Sequence, residues 1–182
     1  MATATDLLTI AEYLALPDAG APTELVRGRI VEHPFHEPIH GLVNNRVACI
    51  LGDYVRGRGL GELTIGSGVI TLRDPDSLRG ADVAYYPATK LPPTDAWPTY
   101  LDVPPDLVLE VRSIHDRWAD LLTKAAEYLA AGVLVVVLLD PDARTATVLV
   151  ADLPPRTLGP GDLLTLPAIL GDFAARVDDI FA

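Results

Sequence analysis

The segment 106–112, Asp-Leu-Val-Leu-Glu-Val-Arg, constrains the fold most, because it is apolar on both faces of an extended strand. Side chains alternate along a strand, so one face would carry Leu107, Leu109 and Val111, and the other Val108, Glu110 and Arg112. A strand that is apolar on both faces is a central strand of a sheet. Glu110 would then point into a partly covered space, where a carboxylate needs a partner.

A second short apolar run, 79–86, carries Asp82 beside Ala81 and Val83. Burying a carboxylate costs several kcal/mol unless it is paired or binds a metal. Two carboxylates on adjacent strands also repel each other unless a positive group lies between them. Mg²⁺ suits such a pair, because it takes one or two protein carboxylates together with waters and phosphate oxygens. Asp82 and Glu110 therefore point to a metal-dependent hydrolase.

Both acids also have plain structural explanations. Asp82 could form a turn or cap a backbone group. Glu110 could pair with Arg112 or another arginine as a structural ion pair. The segment 106–112 alone does not decide between an ion pair and a metal ligand.

Lys124 follows on the next predicted helix and is one of two lysines in the chain. The apolar stripe of that helix is centred on Trp118, Leu122, Ala125 and Leu129. Lys124 would lie roughly 110° from this centre, at the border of the buried face. Its amine could point inward, to orient an attacking water or stabilise a pentavalent phosphate. It could equally point outward and pair with Asp120, four residues earlier.

The remaining pattern indicates an α/β or α+β fold with a central mixed sheet flanked by helices. Apolar periodicity, caps and turn residues predict the following elements: a helix over 9–16, a hairpin over 24–32, a helix over 38–57, strands over 61–65 and 68–72, the Asp82 strand, a loop over 90–105, a strand over 106–112, a helix opened by a Ser113–Asp116 capping box, strands over 133–139 and 145–150, and a helix near 169–173 that follows the tail residues 163–166. The 182 residues contain no linker or repeat, so we expect one domain over 1–182.

The net charge of −11 argues against a general nucleic-acid binder, because phosphate neutralisation usually provides most of the affinity. Contact with DNA would need a bound metal or a local patch such as Arg46, Arg56 and Arg58. Scattered surface arginines are the simpler explanation of those three.

The cysteine count and the lack of targeting segments predict the cellular compartment. The single cysteine, Cys49, excludes an internal disulfide and a thiolate metal cluster, and it fits a reducing compartment. Its helical position predicts a core residue. No signal peptide is recognisable, and no apolar run reaches the roughly 18–20 residues of a membrane span. We therefore expect a soluble, cytoplasmic protein without a membrane partner.

Three histidines, His33, His36 and His40, lie close together and suggest zinc. Pro34 and Pro38 would break a helix that placed all three on one face, so we do not expect the three histidines to bind zinc together. His115 lies at a predicted helix start near Glu110, where it could support the site, although plain surface exposure explains it as well.

Several short segments follow one another in an order and spacing that are specific together. They are residues 8–14, 23–30, 40–41, 80–84, 105–111, 124–133 and 139–141. In these segments the chain resembles the Uma-type family of putative restriction endonucleases, within the PD-(D/E)XK nuclease superfamily. The resemblance covers nearly the whole chain.

The resemblance implies a restriction-endonuclease-like core and a site for Mg²⁺ or Mn²⁺. Asp82 would be the acid of the first motif and Glu110 that of the second, with the Val111 backbone carbonyl as a further ligand. Arg112 stands where the superfamily usually has lysine, and Lys124 would replace that lysine from the following helix. Arg112 is an accessory candidate at that position. Two further accessory positions also match: Glu24 could be an outer metal ligand, and His40 could assist proton transfer or contact phosphate.

The chain departs from the family pattern in three places. Ala81 replaces the proline that usually precedes the first acid, Ser113-Ile-His-Asp replaces a Ser-Pro-Ser-Asp type segment, and the strand 133–138 lacks its usual tryptophan. None of these departures removes a candidate ligand.

The sequence thus predicts an endonuclease that hydrolyses phosphodiester bonds in DNA, with Asp82, Glu110 and Lys124 as catalytic residues. One alternative is a catalytically inactive nuclease-like module that binds nucleic acid. Another is an assembly protein whose apolar C-terminal elements mediate dimerisation. A homodimer is expected by analogy, because two sites could address two DNA strands.

Overall fold

A mixed β-sheet of eight strands forms the centre of the structure, a computed structural model that describes residues 7–17 and 20–182. The strands are β1 (Thr23–Val26), β2 (Arg29–Glu32), β3 (Gly61–Leu72), β4 (Ser77–Pro87), β5 (Leu107–Val111), β6 (Val135–Asp140), β7 (Thr145–Leu149) and β8 (Arg156–Leu158). A separate antiparallel pair is formed by β9 (Leu163–Thr165) and β10 (Ala174–Arg176). The helices are α1 (Ile10–Leu14), α2 (Pro38–Arg58), α3 (Trp118–Ala130), α4 (Pro167–Leu170) and α5 (Val177–Phe181).

The strand order across the sheet is β2-β1-β4-β5-β6-β7-β8, and β3 pairs along the length of β4. Strands β5 and β6 are parallel and are joined through α3, as a parallel pair needs a long crossover. The other pairs of this sheet are antiparallel. The predicted fold class, a mixed sheet flanked by helices, is confirmed.

The two faces of the sheet are covered by different elements. On one face, α2 and the C-terminal elements pack over Leu107, Leu109 and Val111 of β5. On the other face, α3 packs over Val108 through Leu121, Ala125 and Tyr128. The alternation expected for segment 106–112 is therefore present, and all five residues of β5 are buried. Among the described residues, no helix is long and apolar enough to cross a membrane.

Several predicted elements agree closely with the structure. Helix α1 begins after its N-cap, Thr9, which forms the expected capping box with Glu12, and β1 and β2 form the expected hairpin around residues 27–28. Helix α2 begins with Pro38 in its first turn and buries a stripe that includes Val43, Val47 and Leu51. Pro38 suits this position because the first turn of a helix needs no backbone donor.

Other predictions were wrong in their boundaries. Residues 61–72 form one long strand rather than two, because Gly66 bends β3 without ending it. The Ser113–Asp116 pair closes a turn before α3, which begins only at Trp118. The predicted helix near 169–173 lies earlier, as α4, and β8 and β10 had no prediction. The loop over 90–105 contains the short 3₁₀ turn Thr94–Ala96.

Two side-chain predictions were also wrong. Cys49 is exposed on α2 and not in the core. Trp118 and Leu122 are 39% and 45% exposed, so they do not form the centre of the buried face of α3. The buried face is instead centred on Leu121, Ala125 and Tyr128.

Candidate active site

Strand β4 changes its neighbour along one edge, and this change creates the site. Leu78 near the start of β4 pairs with β1, and residues 83–85 pair with β5. Between them, Gly80 bonds to side chains: its N–H donates to Glu24 Oε1 at 2.9 Å, and its carbonyl accepts from Lys124 Nζ at 2.7 Å. Buried backbone groups must find partners. The opening between β1 and β5 therefore collects charged side chains.

Lys124 is held at the centre of this opening by three acceptors. Its Nζ lies 2.7 Å from the Gly80 carbonyl, 2.9 Å from Glu110 Oε2 and 3.1 Å from Glu24 Oε1. An ammonium has three donors, and these contacts use all of them. Lys124 thus points inward, because it lies between Leu121 and Tyr128 on the buried face of α3.

Glu110 is paired through both of its oxygens. Its Oε1 accepts from the Tyr128 hydroxyl at 2.8 Å, and its Oε2 accepts from Lys124. The alternative that Glu110 pairs with Arg112 is wrong. Arg112 instead lies 3.4 Å from both Asp140 and Asp142, and it does not line the cleft.

Glu24 connects the site to a second cation, Arg79. Its Oε2 accepts from Arg79 at 2.9 Å, while Arg79 also donates to Glu127 Oε2 at 2.7 Å. The imidazole Nε2 of His33 lies 3.2 Å from the same Glu24 oxygen. The accessory residue Glu24 is therefore within the site, where it orients Lys124.

Asp82 also lines the opening and is held by two donors. Its Oδ2 accepts from the Val111 backbone N–H at 2.8 Å and lies 3.1 Å from His40 Nε2. In the register of β3 with β4, Asp82 lies across from Gly66, which has a φ of 59°. Glycine reaches this conformation without strain. The bend in β3 thus coincides with the candidate ligand.

His36 adds a second imidazole beside His40. The two rings are stacked, with centroids 3.8 Å apart and planes 4° from parallel. His36, His40 and Asp82 each offer a ligand atom, and these atoms lie within 4.8 Å of one another. His33 faces Glu24 instead. The three histidines therefore do not converge on one point, as Pro34 and Pro38 led us to expect.

Burial and charge shift the pKa values of the central ion pairs. Burial raises the pKa of Glu110 to about 7, although the Lys124 ammonium opposes the rise. Burial lowers the pKa of Lys124, but Glu110 and Glu24 outweigh it, so the net pKa is raised. Burial raises the pKa of Glu24, but His33, Lys124 and Arg79 outweigh it and the net pKa is lowered. Lys124 and Glu24 are accordingly charged at neutral pH.

The pair of Asp82 and His40 shows the same balance. Burial raises the pKa of Asp82, but the hydrogen bond and charge of His40 bring the net pKa below its usual value. Burial lowers the pKa of His40, but Asp82 outweighs it and the net pKa is raised. Burial and the charge of His40 together lower the pKa of His36. The lowered pKa therefore favours the neutral form of the exposed His36 imidazole.

These groups line one cleft of about 1020 Å³. Its walls include all the proposed catalytic residues, both accessory residues Glu24 and His40, and Val111. Arg112 is not among the lining residues. The cleft is large enough for a segment of a polymer, since typical small-molecule pockets measure about 300–1,000 Å³.

The donor set in the cleft fits a divalent cation. The carboxylates of Asp82 and Glu110 are the hard oxygen ligands that Mg²⁺ and Mn²⁺ prefer. The buried network around them holds four carboxylates against two permanent cations, Arg79 and Lys124. A divalent cation would balance this excess of negative charge.

Three residues of the network had no sequence prediction. Arg79, Glu127 and Tyr128 hold Glu24, Lys124 and Glu110 in place. Helical spacing offered a signal, because Tyr128 lies one turn after Lys124 and therefore shares its face. No local pattern pairs Arg79 with Glu127, which are 48 residues apart.

Comparison with known proteins identifies the family. Residues 10–178 match the Uma2 family, whose description is putative restriction endonuclease. The chain belongs to this family. A solved structure of a putative nuclease belonging to DUF820 from Anabaena variabilis is similar, with a TM-score of 0.85 and 18% identity over 96% of this chain and 97% of that chain. This likeness concerns the fold. No curated protein matches the chain.

Proposed function

We propose that this Uma2-family chain hydrolyses phosphodiester bonds in DNA at the cleft between β1 and β5. The observation that carries the proposal is the buried Lys124 ammonium, which is held between Glu24 and Glu110 in the cleft that Asp82 also lines. A structural ion pair would not need to face a cleft of this size. A buried cation beside two candidate ligands is the arrangement that phosphoryl-transfer chemistry needs.

Asp82 and Glu110 would hold Mg²⁺ or Mn²⁺, with the Val111 carbonyl as a further ligand. The bound cation would supply Lewis acidity toward the phosphate and toward a water. To orient the attacking water, Lys124 would give up one of its three present acceptors. Its charge would offset the negative charge that develops on the phosphate. Glu24 keeps the Lys124 amine in place, and Tyr128 fixes the Glu110 carboxylate.

His40 lies against Asp82 and has little freedom to act alone. It orients the Asp82 carboxylate through the 3.1 Å contact, and its imidazole can carry a proton close to the reacting groups. The predicted accessory role of Arg112 has no support in its contacts, because its guanidinium faces Asp140 and Asp142. We therefore leave Arg112 out of the mechanism.

A catalytically inactive DNA-binding module is the second candidate. It is favoured by the ion pairs of Lys124, which compensate Glu24 and Glu110 without any metal. The net charge of −11 also weakens DNA binding by the chain alone. Metal binding and DNA cleavage, measured on the same preparation, distinguish the nuclease from the inactive module.

The test is cleavage of supercoiled plasmid, linear DNA and RNA in Mg²⁺, in Mn²⁺ and in EDTA. We expect metal-dependent DNA cleavage that falls at least about 100-fold in Asp82→Asn, Glu110→Gln and Lys124→Met. Asp102→Asn and Lys90→Met are matched controls, because Asp102 is exposed and Lys90 bonds to Pro104 and Asp106 instead. Wild-type cleavage by a folded Asp82→Asn or Glu110→Gln protein would contradict the proposal, and RNA cleavage alone would change the substrate.

We further propose a single nuclease-like domain that acts in the cytoplasm as a homodimer. A dimer would present two sites to two DNA strands, by analogy with other nucleases. Light scattering of the purified protein tests the dimer. A monomer that still makes double-strand breaks would contradict it.

A further inference from the structure

Two imidazoles stand beside the carboxylate pair, and the reaction proposed above does not use both. His40 is 3% exposed and borders Asp82, while His36 is exposed and stacks on the ring of His40. Both histidines line the cleft that contains Glu110 and Lys124. A second imidazole is not needed to orient Asp82, because His40 and the Val111 N–H already do so.

The geometry points to a metal-ion site with nitrogen ligands, formed by His36, His40 and Asp82. This site is adjacent to the carboxylate site and shares Asp82 with it. The three ligand atoms lie within 4.8 Å of one another. Ligands about 2.0–2.1 Å from a common ion are separated by roughly 3–3.5 Å. The 3.1 Å between His40 Nε2 and Asp82 Oδ2 already has this length. The His36 ring is now stacked parallel to His40, so it would have to rotate out of this stack to aim a nitrogen at the same ion.

The segment that carries His36 is held at both of its ends. Before it, the His33 N–H donates to the Pro22 carbonyl at 2.8 Å, and the His33 ring lies against Glu24. After it, Glu37 accepts the Ile114 N–H at 2.8 Å. A site whose supporting residues are fixed in advance costs less to order around an ion. His36 is therefore positioned even though its side chain is exposed.

The donor types define which cation this site takes. Two imidazole nitrogens and one carboxylate oxygen suit Zn²⁺ and Co²⁺ better than Mg²⁺, which prefers oxygen and dehydrates reluctantly. Affinity should follow the usual order for such ligands, in which Mn²⁺ binds more weakly than Co²⁺. Three protein ligands leave positions open on the ion. The cleft can fill these positions with water or with a phosphate oxygen.

Metal binding at this site does not depend on the proposed function. Only its consequence, a catalytic centre of two cations that share Asp82, rests on the proposed function. Two cations held by one carboxylate stabilise both the attacking and the leaving oxygen of a displacement. The binding itself needs no DNA and is measured without it. Failure of this site therefore leaves the carboxylate site and the proposed nuclease intact.

The test is titration of the full chain with Co²⁺, followed by calorimetry and by the visible absorption of the bound ion, with Mg²⁺ as a second titrant. We expect His36→Ala to weaken Co²⁺ binding by about 10- to 100-fold and to change the spectrum, while Mg²⁺ binding is unchanged. His36 is exposed, so this variant should fold. His115→Ala is the matched control, because His115 is an exposed histidine of the same cleft outside the set.

Glu110→Gln separates this inference from the proposed function. It leaves all three ligands in place, so Co²⁺ binding with the wild-type spectrum should persist while Mg²⁺-dependent cleavage is lost. Co²⁺ binding that is indifferent to His36→Ala but abolished by Glu110→Gln would overturn the second site and keep the nuclease. Absence of Co²⁺ binding to the wild-type protein would overturn the second site outright.

Discussion

Lys124 is the residue on which the local electrostatics depend. Its amine compensates Glu24 and Glu110, whose side chains are 7% and 5% exposed. A buried ion pair gives little net stability, but removal of one partner leaves an uncompensated charge. Lys124 thus has a structural role in addition to its proposed catalytic one.

Replacement of Lys124 should therefore cost stability. We expect Lys124→Met to lower the free energy of unfolding by about 3–5 kcal/mol, the usual loss for breaking a buried pair. Lys90→Met removes a half-buried lysine with one carboxylate partner and should cost about 1 kcal/mol or less. Urea denaturation measures both. Equal losses would show that the Lys124 network is no more buried in solution than a surface pair.

The hydroxyl of Tyr128 should make its own contribution to the free energy of unfolding, separate from that of the buried ring. Tyr128→Phe keeps the ring but removes the 2.8 Å bond to Glu110. At a pH well above the Glu110 pKa of about 7, we expect a loss of about 1.5–3 kcal/mol because the acceptor is then charged. Tyr85→Phe is the control, since this buried hydroxyl donates to the neutral Leu60 carbonyl and should cost about 1 kcal/mol. Calorimetric unfolding distinguishes them. A smaller loss for Tyr128→Phe than for Tyr85→Phe would contradict a charged Glu110 bonded to Tyr128.

The sequence predicted Asp82, Glu110 and Lys124 as a group, but it left the direction of Lys124 open. The apolar positions Trp118 and Leu122 suggested a buried face that the structure leaves partly exposed. A helical pattern of apolar residues gives every apolar residue the same weight, so it does not show which of them pack against the sheet. Tyr128 was part of the inward face, and its polar hydroxyl is what gives Glu110 a second partner.

At the scale of elements, β4 is the strand that must pair with three other strands. It pairs along its length with β3, while its other edge is shared between β1 and β5. A register slip between β3 and β4 would therefore move the Gly66 bend away from Asp82. The close approach of Gly61 at the start of β3 fixes this register.

Gly61 tests the packing of β3 against β4. It has a φ of 152°, and a Cβ atom there would lie 2.1 Å from the Tyr86 carbonyl oxygen. We expect Gly61→Ala to destabilise the protein by about 2 kcal/mol or more, as backbone strain and a clash combine. Gly57→Ala, in the exposed last turn of α2 with open space around it, should stabilise by about 0.5–1 kcal/mol. Thermal unfolding gives the sign of both stability changes. A Gly61→Ala protein as stable as the wild type would refute the close approach of residue 61 to the Tyr86 carbonyl oxygen.

Element boundaries were predictable where local chemistry determines them. The Thr9–Glu12 capping box, the hairpin at residues 27–28 and the proline at the start of α2 all act within a few residues. The long strand β3 was not predictable, because Gly66 ends a strand in some contexts and bends it in others. The pairing of β4 with three strands depends on contacts far apart in sequence, which local patterns do not contain.

At the scale of the whole molecule, charge makes a bound cation important for DNA contact. The net charge of −11 repels phosphates, and the excess of carboxylates in the cleft adds to this. The contacts of Arg56 and Arg58 do not support a basic patch, the less favoured explanation of Arg46, Arg56 and Arg58, since Arg56 pairs with Asp53 and Arg58 stacks over Tyr54. Divalent cations would therefore serve binding as well as chemistry.

Metal binding should also stabilise the fold, because an ion that binds only the native state shifts unfolding by mass action. At a Mn²⁺ concentration of about 100 times its Kd, we expect about 2.7 kcal/mol of added stability, or a rise in Tm of roughly 5–10 °C. Asp82→Asn should lose most of this rise and Asp102→Asn none of it. The same rise in Asp82→Asn would mean that the ion binds elsewhere.

The most direct test of the account is the position of a bound ion. Crystals grown with Mn²⁺ and measured for anomalous scattering should show a peak coordinated by both Asp82 and Glu110, with the Lys124 amine in the same cleft. A peak only at exposed carboxylates, or none in the cleft at saturating Mn²⁺, would contradict the account.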